Sequence, residues 1–299
     1  MAYFTDKPEE ARAVLGFPAQ RAAIFESVSD FASWAIQAAP SAGASVTVEA
    51  SDDWDYGVGF AGMLELARVG GWQEGADRMA SLSLTLPEAE SVDTVPKRAR
   101  RVAGSRPHAG AAAAGSPRAM IRRVPTDQAS TSAGVRVLRV VLPWGKSAHV
   151  EGDACERYGA ALVECIDATE AAGIRCEVVL QQQTDTGTVA RVTAKHAGEH
   201  VDRAALAFLI AHPAATRRLR FRAQEGPEGS WPCGSYGGPT TQPWARGERE
   251  SGALVLPYMS PGFPRKVETM AEARAYVRAL FEQHIARLAA EAAADPAAA

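Results

Sequence analysis

Val135-Arg-Val-Leu-Arg-Val-Val-Leu142 and Ile174-Arg-Cys-Glu-Val-Val-Leu180 are two short runs rich in β-branched residues. Each run is typical of a strand that is covered on both faces, as in a parallel sheet. Between them, apolar residues recur at helical spacing over 153–172, with Asp153 as the expected N-cap and Gly173 just past the end. A strand, a helix and a strand of these lengths predict a βαβ unit with a right-handed crossover.

The residues after this unit predict two further strands. Asp185-Thr-Gly187 is a turn signal within 181–194, so a hairpin should place the third strand antiparallel to the second. A helix from about Val201 follows, and Leu254-Val-Leu256 is the candidate fourth strand. We therefore expect an α/β fold with a small mixed, mostly parallel sheet of order 3-2-1-4, in which strand 3 is antiparallel, with flanking helices.

Composition divides the 299 residues into four expected regions. They are an N-terminal mainly helical region (1–86), a basic Pro/Gly/Ala-rich linker or arm (87–134), the α/β domain (135–293) and a disordered tail (294–299). Within them we expect helices at 21–38, 60–69, 72–86 and 270–293, a short strand at 45–49 and a long loop at 226–250.

The segment 97–123 is the sharpest compositional anomaly, because it holds eight basic residues and no acidic one. It is either a solvated linker or an arm that contacts phosphates. A second basic stretch, 216–222, is expected to present its arginines on the outer face of a helix. The candidate nucleic-acid contacts are Arg98, Arg100, Arg101, Arg118, Arg122, Arg123, Arg217, Arg218 and Arg220.

Two motifs suggest enzymes. Gly145-Lys-Ser147 resembles the end of a phosphate-binding loop, but Val140 stands where that motif needs its first glycine. His196-Ala-Gly-Glu-His200 matches the inverted zinc-protease motif, but Gly198 interrupts it and the next helix is expected to begin only near Asp202.

Charge, cysteines and hydropathy limit the class of protein. A net charge of −3 is not that of a polyelectrolyte, and four cysteines without C-x-x-C spacing are typical of free thiols in a reducing compartment. The sequence has no apolar run long enough for a membrane helix, and its first residues lack the pattern of a signal peptide. We therefore expect a cytoplasmic protein without a membrane partner.

The order of strands and helices resembles that of von Willebrand factor A-type domains. In those domains the first strand ends in Asp-x-Ser-x-Ser, whose oxygens hold a divalent cation. The matching turn here is Leu142-Pro-Trp-Gly-Lys-Ser147, which has no aspartate and has Lys146 where the cation would lie. The resemblance therefore implies a vestigial turn formed by Trp144, Lys146 and Ser147, and we expect no metal and no cofactor.

Several segments also resemble an uncharacterised family encoded by bacteriophages and prophages, whose members have a degenerate A-type fold. The resembling segments are 60–75, 115–125, 157–172 and 211–221. Ser116 departs from the pattern, which has an acidic residue before the proline. The resemblance brings no catalytic residues and implies a phage or mobile-element context.

These observations favour a non-enzymatic, phage- or mobile-element-associated module that binds protein or nucleic acid, or that acts in assembly. We expect a protein partner, with nucleic acid as a second class of partner, in the host cytosol or in the virion. Two alternatives stay open. One is a structural virion component, and the other is a zinc- or nucleotide-dependent enzyme that uses His196 and His200, or Lys146 and Ser147.

Overall fold

The computed structural model describes residues 2–37, 49–51, 55–83, 98–101, 106–107, 120–123, 137–146, 150–183, 187–221, 243–260, 263 and 266–294. The chain forms two compact units. Unit 1 comprises Met1–Leu84 and Val135–Glu291, and unit 2 comprises Thr85–Gly134 and Ala292–Ala299.

The elements are numbered here in chain order. The strands are β1 (Ala2–Thr5), β2 (Arg21–Phe25), β3 (Arg98–Arg101), β4 (Arg106–Pro107), β5 (Met120–Arg123), β6 (Val137–Pro143), β7 (Arg175–Gln183), β8 (Thr188–Lys195) and β9 (Leu254–Val255). The helices are α1 (Pro8–Leu15), α2 (Val28–Gln37), α3 (Gly59–Arg68), α4 (Gln73–Ser83), α5 (Gly152–Ala171), α6 (Arg203–Leu206), α7 (Pro243–Glu250) and α8 (Met270–Ala294). Two π-helical segments, Ala207–Ala211 and Ala215–Leu219, follow α6. None of the helices in the described ranges is long and apolar enough to cross a membrane.

Unit 1 is an α/β fold on a mixed six-stranded sheet of order β1-β2-β8-β7-β6-β9. The pairs β2–β8, β7–β6 and β6–β9 are parallel, and the pairs β1–β2 and β8–β7 are antiparallel. The four strands predicted as 3-2-1-4 lie in that order as β8-β7-β6-β9, with β8 antiparallel to β7. The complete sheet has six strands, so the predicted order and the mostly parallel character are wrong for the sheet as a whole. The reason is that β1 and β2, from a region predicted to be mainly helical, extend the sheet beyond β8.

Residues 21–38 were predicted to be one helix, and this prediction is wrong for the first part. Arg21–Phe25 is a strand, and the helix begins only at Val28. Ala22, Ala23, Ile24 and Phe25 are all buried, because β2 lies between β1 and β8 and is covered on both faces. A strand buried on both faces shows no alternation of apolar and polar residues, so its sequence can be mistaken for a helical face.

The predicted βαβ unit is present as β6, α5 and β7. Asp153 is not the N-cap, because α5 begins at Gly152 and its N-cap Glu151 makes no side-chain capping bond. Asp153 instead lies in the first turn, where its charge is favourable beside the positive end of the helix. Gly173 ends the helix as predicted, in the left-handed conformation with φ 93°.

Two hydrophobic clusters cover the sheet of unit 1. The larger cluster packs α2, α3, α4, α5 and α8 with residues such as Phe31, Leu138 and Leu162. The smaller cluster involves α1 and α7, and contains Leu15, Val141 and Ala245. The loop predicted at 226–250 is wrong for its last eight residues, because α7 packs there; residues 226–242 lie outside the described ranges.

Unit 2 contains a three-stranded antiparallel sheet of order β3-β5-β4, here called the arginine sheet. Its three strands lie within 87–134, the segment expected to be a linker or arm. The strand predicted at 45–49 and the predicted tail 294–299 lie almost entirely outside the described residues.

Candidate functional site

The carboxyl end of β6 is where the topology of unit 1 favours a ligand site. The connection through α5 leads to β7 on one side of β6, whereas β9 lies on the other side. Open α/β sheets bind ligands at the carboxyl ends of their strands where the direction of connection reverses. The predicted turn residues Trp144 and Lys146 lie here, and Ser147 lies outside the described ranges.

Trp144 is a core residue. Its backbone N–H donates to the carbonyl of Gln181 (3.0 Å), which fixes the chain just past the end of β6. Its ring packs edge-on against Phe31, with 4.6 Å between the ring centroids, and is almost completely buried. The ring therefore closes the hydrophobic core below the turn and presents no surface to a ligand.

Lys146 is also buried, and its ammonium has a structural partner. Nζ donates to the carbonyl oxygens of Ile210 (3.3 Å) and Ala211 (3.1 Å), at the end of the first π-helical segment. The last carbonyls of a helix lack partners within it, and they attract a positive charge. Burial is the main cause that lowers the pKa of Lys146. Its contacts are those of a helix-end partner and not of a phosphate ligand.

The arginines of 216–222 were predicted to lie on an outer, basic face, and this prediction is wrong for the three that the structure describes. Arg217, Arg218 and Arg220 are all buried in unit 1. Arg218 Nε forms an ion pair with Asp55 Oδ2, and both side chains are at most 1% exposed. Arg220 Nη1 donates to Gln182 Oε1 (3.0 Å) at the end of β7. These guanidinium groups hold unit 1 together from inside.

Asp55 was missed by the sequence analysis, although it organises the segment before α3. Its carboxylate accepts the backbone N–H groups of Ser51 (3.0 Å), Gly57 (3.1 Å) and Gly59 (3.1 Å), in addition to the bond from Arg218. These bonds hold Tyr56 in the left-handed conformation, with φ 58°, which a bulky residue rarely adopts. Aspartate followed by glycine two and four residues later is the only sequence signal, and it is common in loops.

His196 and His200 do not form the arrangement of a zinc protease. The residues between them form a turn, and α6 begins only at Arg203, after the N-cap Asp202. His196 Nε2 lies 2.8 Å from the carbonyl oxygen of Glu26. The zinc motif needs both histidines on one turn of a helix. In the described part of the chain, no group of three His, Cys, Asp or Glu side chains is placed to hold a metal ion.

The arginine sheet gathers most of the other candidate residues. Six of the ten residues in its strands are arginines: Arg98, Arg100, Arg101, Arg106, Arg122 and Arg123. Arg98 is paired with Arg123 across β3 and β5, and both Arg100 and Arg106 are paired with Ile121. Like charges directly opposite each other destabilise a sheet, as for Arg98 and Arg123. Arg118 lies outside the described residues.

The chain matches a family model described as "Domain of unknown function (DUF7192)" over residues 12–283, and it therefore belongs to that family. No curated protein and no solved structure matches the chain.

Proposed function

We propose that this member of the DUF7192 family is a non-enzymatic nucleic-acid-binding module that contacts the phosphate backbone through the arginine sheet. The observation that carries the proposal is the pairing of Arg98 with Arg123 in a sheet where six of ten strand residues are arginines. Like charges across from each other destabilise a sheet that has no opposite charge beside it. A polyanion supplies the opposite charge that the sheet needs.

The spacing of the sheet suits a sequence-independent contact with a phosphate backbone. Neighbouring strands lie about 4.8 Å apart, and alternate residues along a strand lie about 6.7 Å apart. Arg98 and Arg100 in β3, Arg106 in β4 and Arg123 in β5 are therefore at register positions that can follow several consecutive phosphates. Contacts of this kind are strongly salt dependent, because each neutralised phosphate releases a counterion.

The distribution of charge along the chain supports a localised contact. The segment 97–123 carries eight basic and no acidic residues, whereas the other residues contain 24 basic and 35 acidic side chains, a net charge of −11. An acidic remainder repels nucleic acid, and this confines attraction to the arginine sheet. The chain as a whole has a net charge of −3. This value hides the contrast between the basic segment 97–123 and the acidic remainder.

The biological context belongs to the same proposal. A phage or mobile-element origin, and a von Willebrand A-like ancestry for unit 1, are proposed from the resembling segments of the sequence. The expected protein partner stays a prediction. Co-purification of the protein with phage particles would favour a virion component instead.

The test measures binding of fluorescein-labelled single-stranded and duplex oligonucleotides by anisotropy at several salt concentrations. One variant replaces Arg98, Arg100, Arg101, Arg122 and Arg123 by alanine. The matched control replaces five exposed arginines of unit 1 by alanine: Arg68, Arg175, Arg246, Arg249 and Arg287. Both variants lose five positive charges. We expect the first to bind at least about tenfold more weakly than the wild type and the control to change by less than about threefold.

Two results would overturn the proposal. One is the absence of binding by the wild-type chain at low salt. The other is an equal loss of affinity in both variants, because that would assign the attraction to net charge and not to the arginine sheet.

A further inference from the structure

A pocket of about 640 Å³ opens in unit 1 beside the first turn of α5. It is lined by residues from the turn before α3, from α3, from the turn between α3 and α4, from α4 and α5, and from the residue after the first π-helical segment. Among them are Tyr56, Trp72, Arg78, Asp153 and His212. Its volume lies within the range of roughly 300–1,000 Å³ that is typical of small-molecule sites.

Neighbouring glycines leave room for the two large rings of this pocket. A side chain at Gly152 would overlap the hydroxyl of Tyr56, and a side chain at Gly75 would overlap the ring of Trp72. The Asp55 carboxylate holds Tyr56 at φ 58° from the other side. Strained backbone of this kind persists only where surrounding contacts enforce it, and it occurs preferentially at binding and catalytic sites.

His212 is one of the residues that line this pocket. It is 2% exposed, and its Nδ1 accepts the backbone N–H of Ala214 (3.1 Å). Burial, followed by the nearby charge of Lys146, lowers the pKa of His212 to about 3, so the ring is neutral at pH 7. A neutral imidazole that accepts at Nδ1 carries its proton on Nε2. That Nε2–H has no hydrogen-bond partner among the described residues.

Trp72 also lines this pocket, and its indole carries an N–H group. The indole is 6% exposed and stands edge-on to His212, with 4.7 Å between ring centroids. Its backbone N–H is bound to the carbonyl of Ala204 (2.9 Å), which fixes the ring position. Its Nε1–H makes no hydrogen bond within the described ranges. Both rings line the same cavity. Neither N–H group is among the fully buried side-chain atoms that lack a partner in the described part of the chain, so each is accessible to an acceptor.

The charges around the pocket restrict which acceptor fits. Arg78 is paired with Glu156 (3.0 Å), whereas Glu74 and Asp153 have no ion pair with any described residue. A carboxylate or phosphate ligand would meet these two carboxylates and be repelled. An uncharged carbonyl oxygen can accept from both rings without that cost. Val58, Leu66 and Val69 supply an apolar wall for the rest of the ligand.

We propose that this pocket binds an uncharged, largely apolar molecule through a carbonyl or amide oxygen that accepts hydrogen bonds from Trp72 Nε1 and His212 Nε2. The site lies wholly in unit 1, and the proposal is independent of nucleic-acid binding by the arginine sheet. It assigns to the protein a small-molecule ligand in addition to a polyanion.

The test compares three probes with six-carbon chains and different head groups: hexanamide, hexanoate and hexylammonium. Each is titrated at millimolar concentration into wild-type protein labelled with ¹⁵N at the tryptophan indoles, and the indole signals are followed by NMR. Loss of a signal in Trp72→Phe assigns Trp72, and Trp144→Phe assigns a buried indole that lies outside the pocket.

We expect hexanamide to shift the Trp72 signal and to leave the Trp144 signal in place, with hexanoate the weakest probe. Isothermal titration calorimetry measures the affinity for hexanamide in the wild type and in each variant, because Trp72→Phe lacks the Trp72 signal. In Trp72→Phe and in His212→Phe, each of which keeps a ring and loses one donor, this affinity should fall by about fivefold to tenfold. Trp144→Phe should keep the wild-type affinity. A Trp72 signal that does not move with hexanamide, or equal or stronger binding of hexanoate or hexylammonium, would overturn the proposal.

Discussion

The same residue type, arginine, has opposite surroundings in two regions of this chain. Arg217, Arg218 and Arg220 lie inside unit 1, where Arg218 is paired with Asp55 and Arg220 with Gln182. In the arginine sheet, Arg98 is paired with Arg123 across β3 and β5. Buried guanidinium groups need partners within the fold, because removing a charge from water is costly. For the clustered arginines of the arginine sheet, we propose that the opposite charge comes from a nucleic acid.

The comparison shows why a count of basic residues does not identify a nucleic-acid interface. Both stretches contain an Arg-Arg pair and an Arg-x-Arg spacing, at 217–220 and at 98–101. The two stretches differ in their surroundings, because an acidic residue far away in the sequence, Asp55, pairs with Arg218. Asp55 meets Arg218 only after α3 and the second π-helical segment have packed together.

The largest effect is expected from breaking the ion pair inside unit 1. Arg218→Met leaves the Asp55 carboxylate buried without its counter-ion, and we expect the free energy of unfolding to fall by about 3–5 kcal/mol. Urea denaturation followed by circular dichroism measures the change. A decrease in the free energy of unfolding of less than about 1 kcal/mol would show that Arg218 does not stabilise the fold. The buried arginines would then not differ from those of the arginine sheet in this respect.

A second prediction concerns the pH dependence of stability. His212 is buried without a carboxylate partner among the described residues, so its protonation is unfavourable in the folded protein. Its pKa is lowered from 6.5 to about 3, so the unfolded chain binds this proton more tightly. Stability should therefore be full above pH 6.5 and should fall as pH decreases towards 3, by up to about 4 kcal/mol. His212→Asn can keep an acceptor for the Ala214 N–H without titrating. The difference between wild type and variant should shrink as pH decreases; a constant difference would contradict the prediction.

A smaller effect is expected at Lys146. Lys146→Met leaves the carbonyls of Ile210 and Ala211 without this donor, while it also removes a desolvated charge, so we expect a loss of about 1–3 kcal/mol at pH 7. Because the pKa of Lys146 is lowered from 10.5, wild-type stability should gain as pH rises towards 10.5. Thermal unfolding between pH 7 and 10.5 should show that gain in wild type and less of it in the variant. Equal pH dependence in both proteins would contradict the lowered pKa.

The smallest change in stability is expected in the arginine sheet itself. Arg98→Ala removes one member of the Arg98–Arg123 pair, and the free energy of unfolding should change by no more than about 0.5 kcal/mol, in the stabilising direction. The same variant should make the slope of log K against log salt less steep by about 0.7–0.9 if Arg98 contacts one phosphate. A clear loss of stability would mean that Arg98 is structural, like Arg218.

The centre of the fold could be predicted from the sequence, because β6, α5 and β7 have clear patterns and a short connection. β2 could not be predicted from the sequence, because Ala22 to Phe25 are all buried and show no alternation of apolar and polar residues. The positions of Arg217, Arg218 and Arg220 were wrong for a related reason. Their helical pattern shows which residues share a face, but only the contact with Asp55 and Gln182 shows that this face is inside.

The donors of the small-molecule pocket were also invisible in the sequence. Trp72 and His212 are 140 residues apart, and an aromatic residue at helical spacing is usually part of a core. The hydrogen bond from Ala214 to His212 Nδ1 decides which nitrogen is free to donate, and it depends on local geometry after the His212-Pro213 break. The phage context and the von Willebrand A-like ancestry stay predictions.

Hydrogen exchange with and without a single-stranded oligonucleotide, at low salt, tests the central claim most directly. Exchange is measured on peptides that cover 98–123 and on peptides that cover 207–221. We expect the oligonucleotide to slow exchange in the arginine sheet, because it supplies the opposite charge, and to leave the buried arginine segment unchanged. Protection of 207–221 without protection of 98–123 would contradict the account, because it would place nucleic acid on the region assigned a structural role.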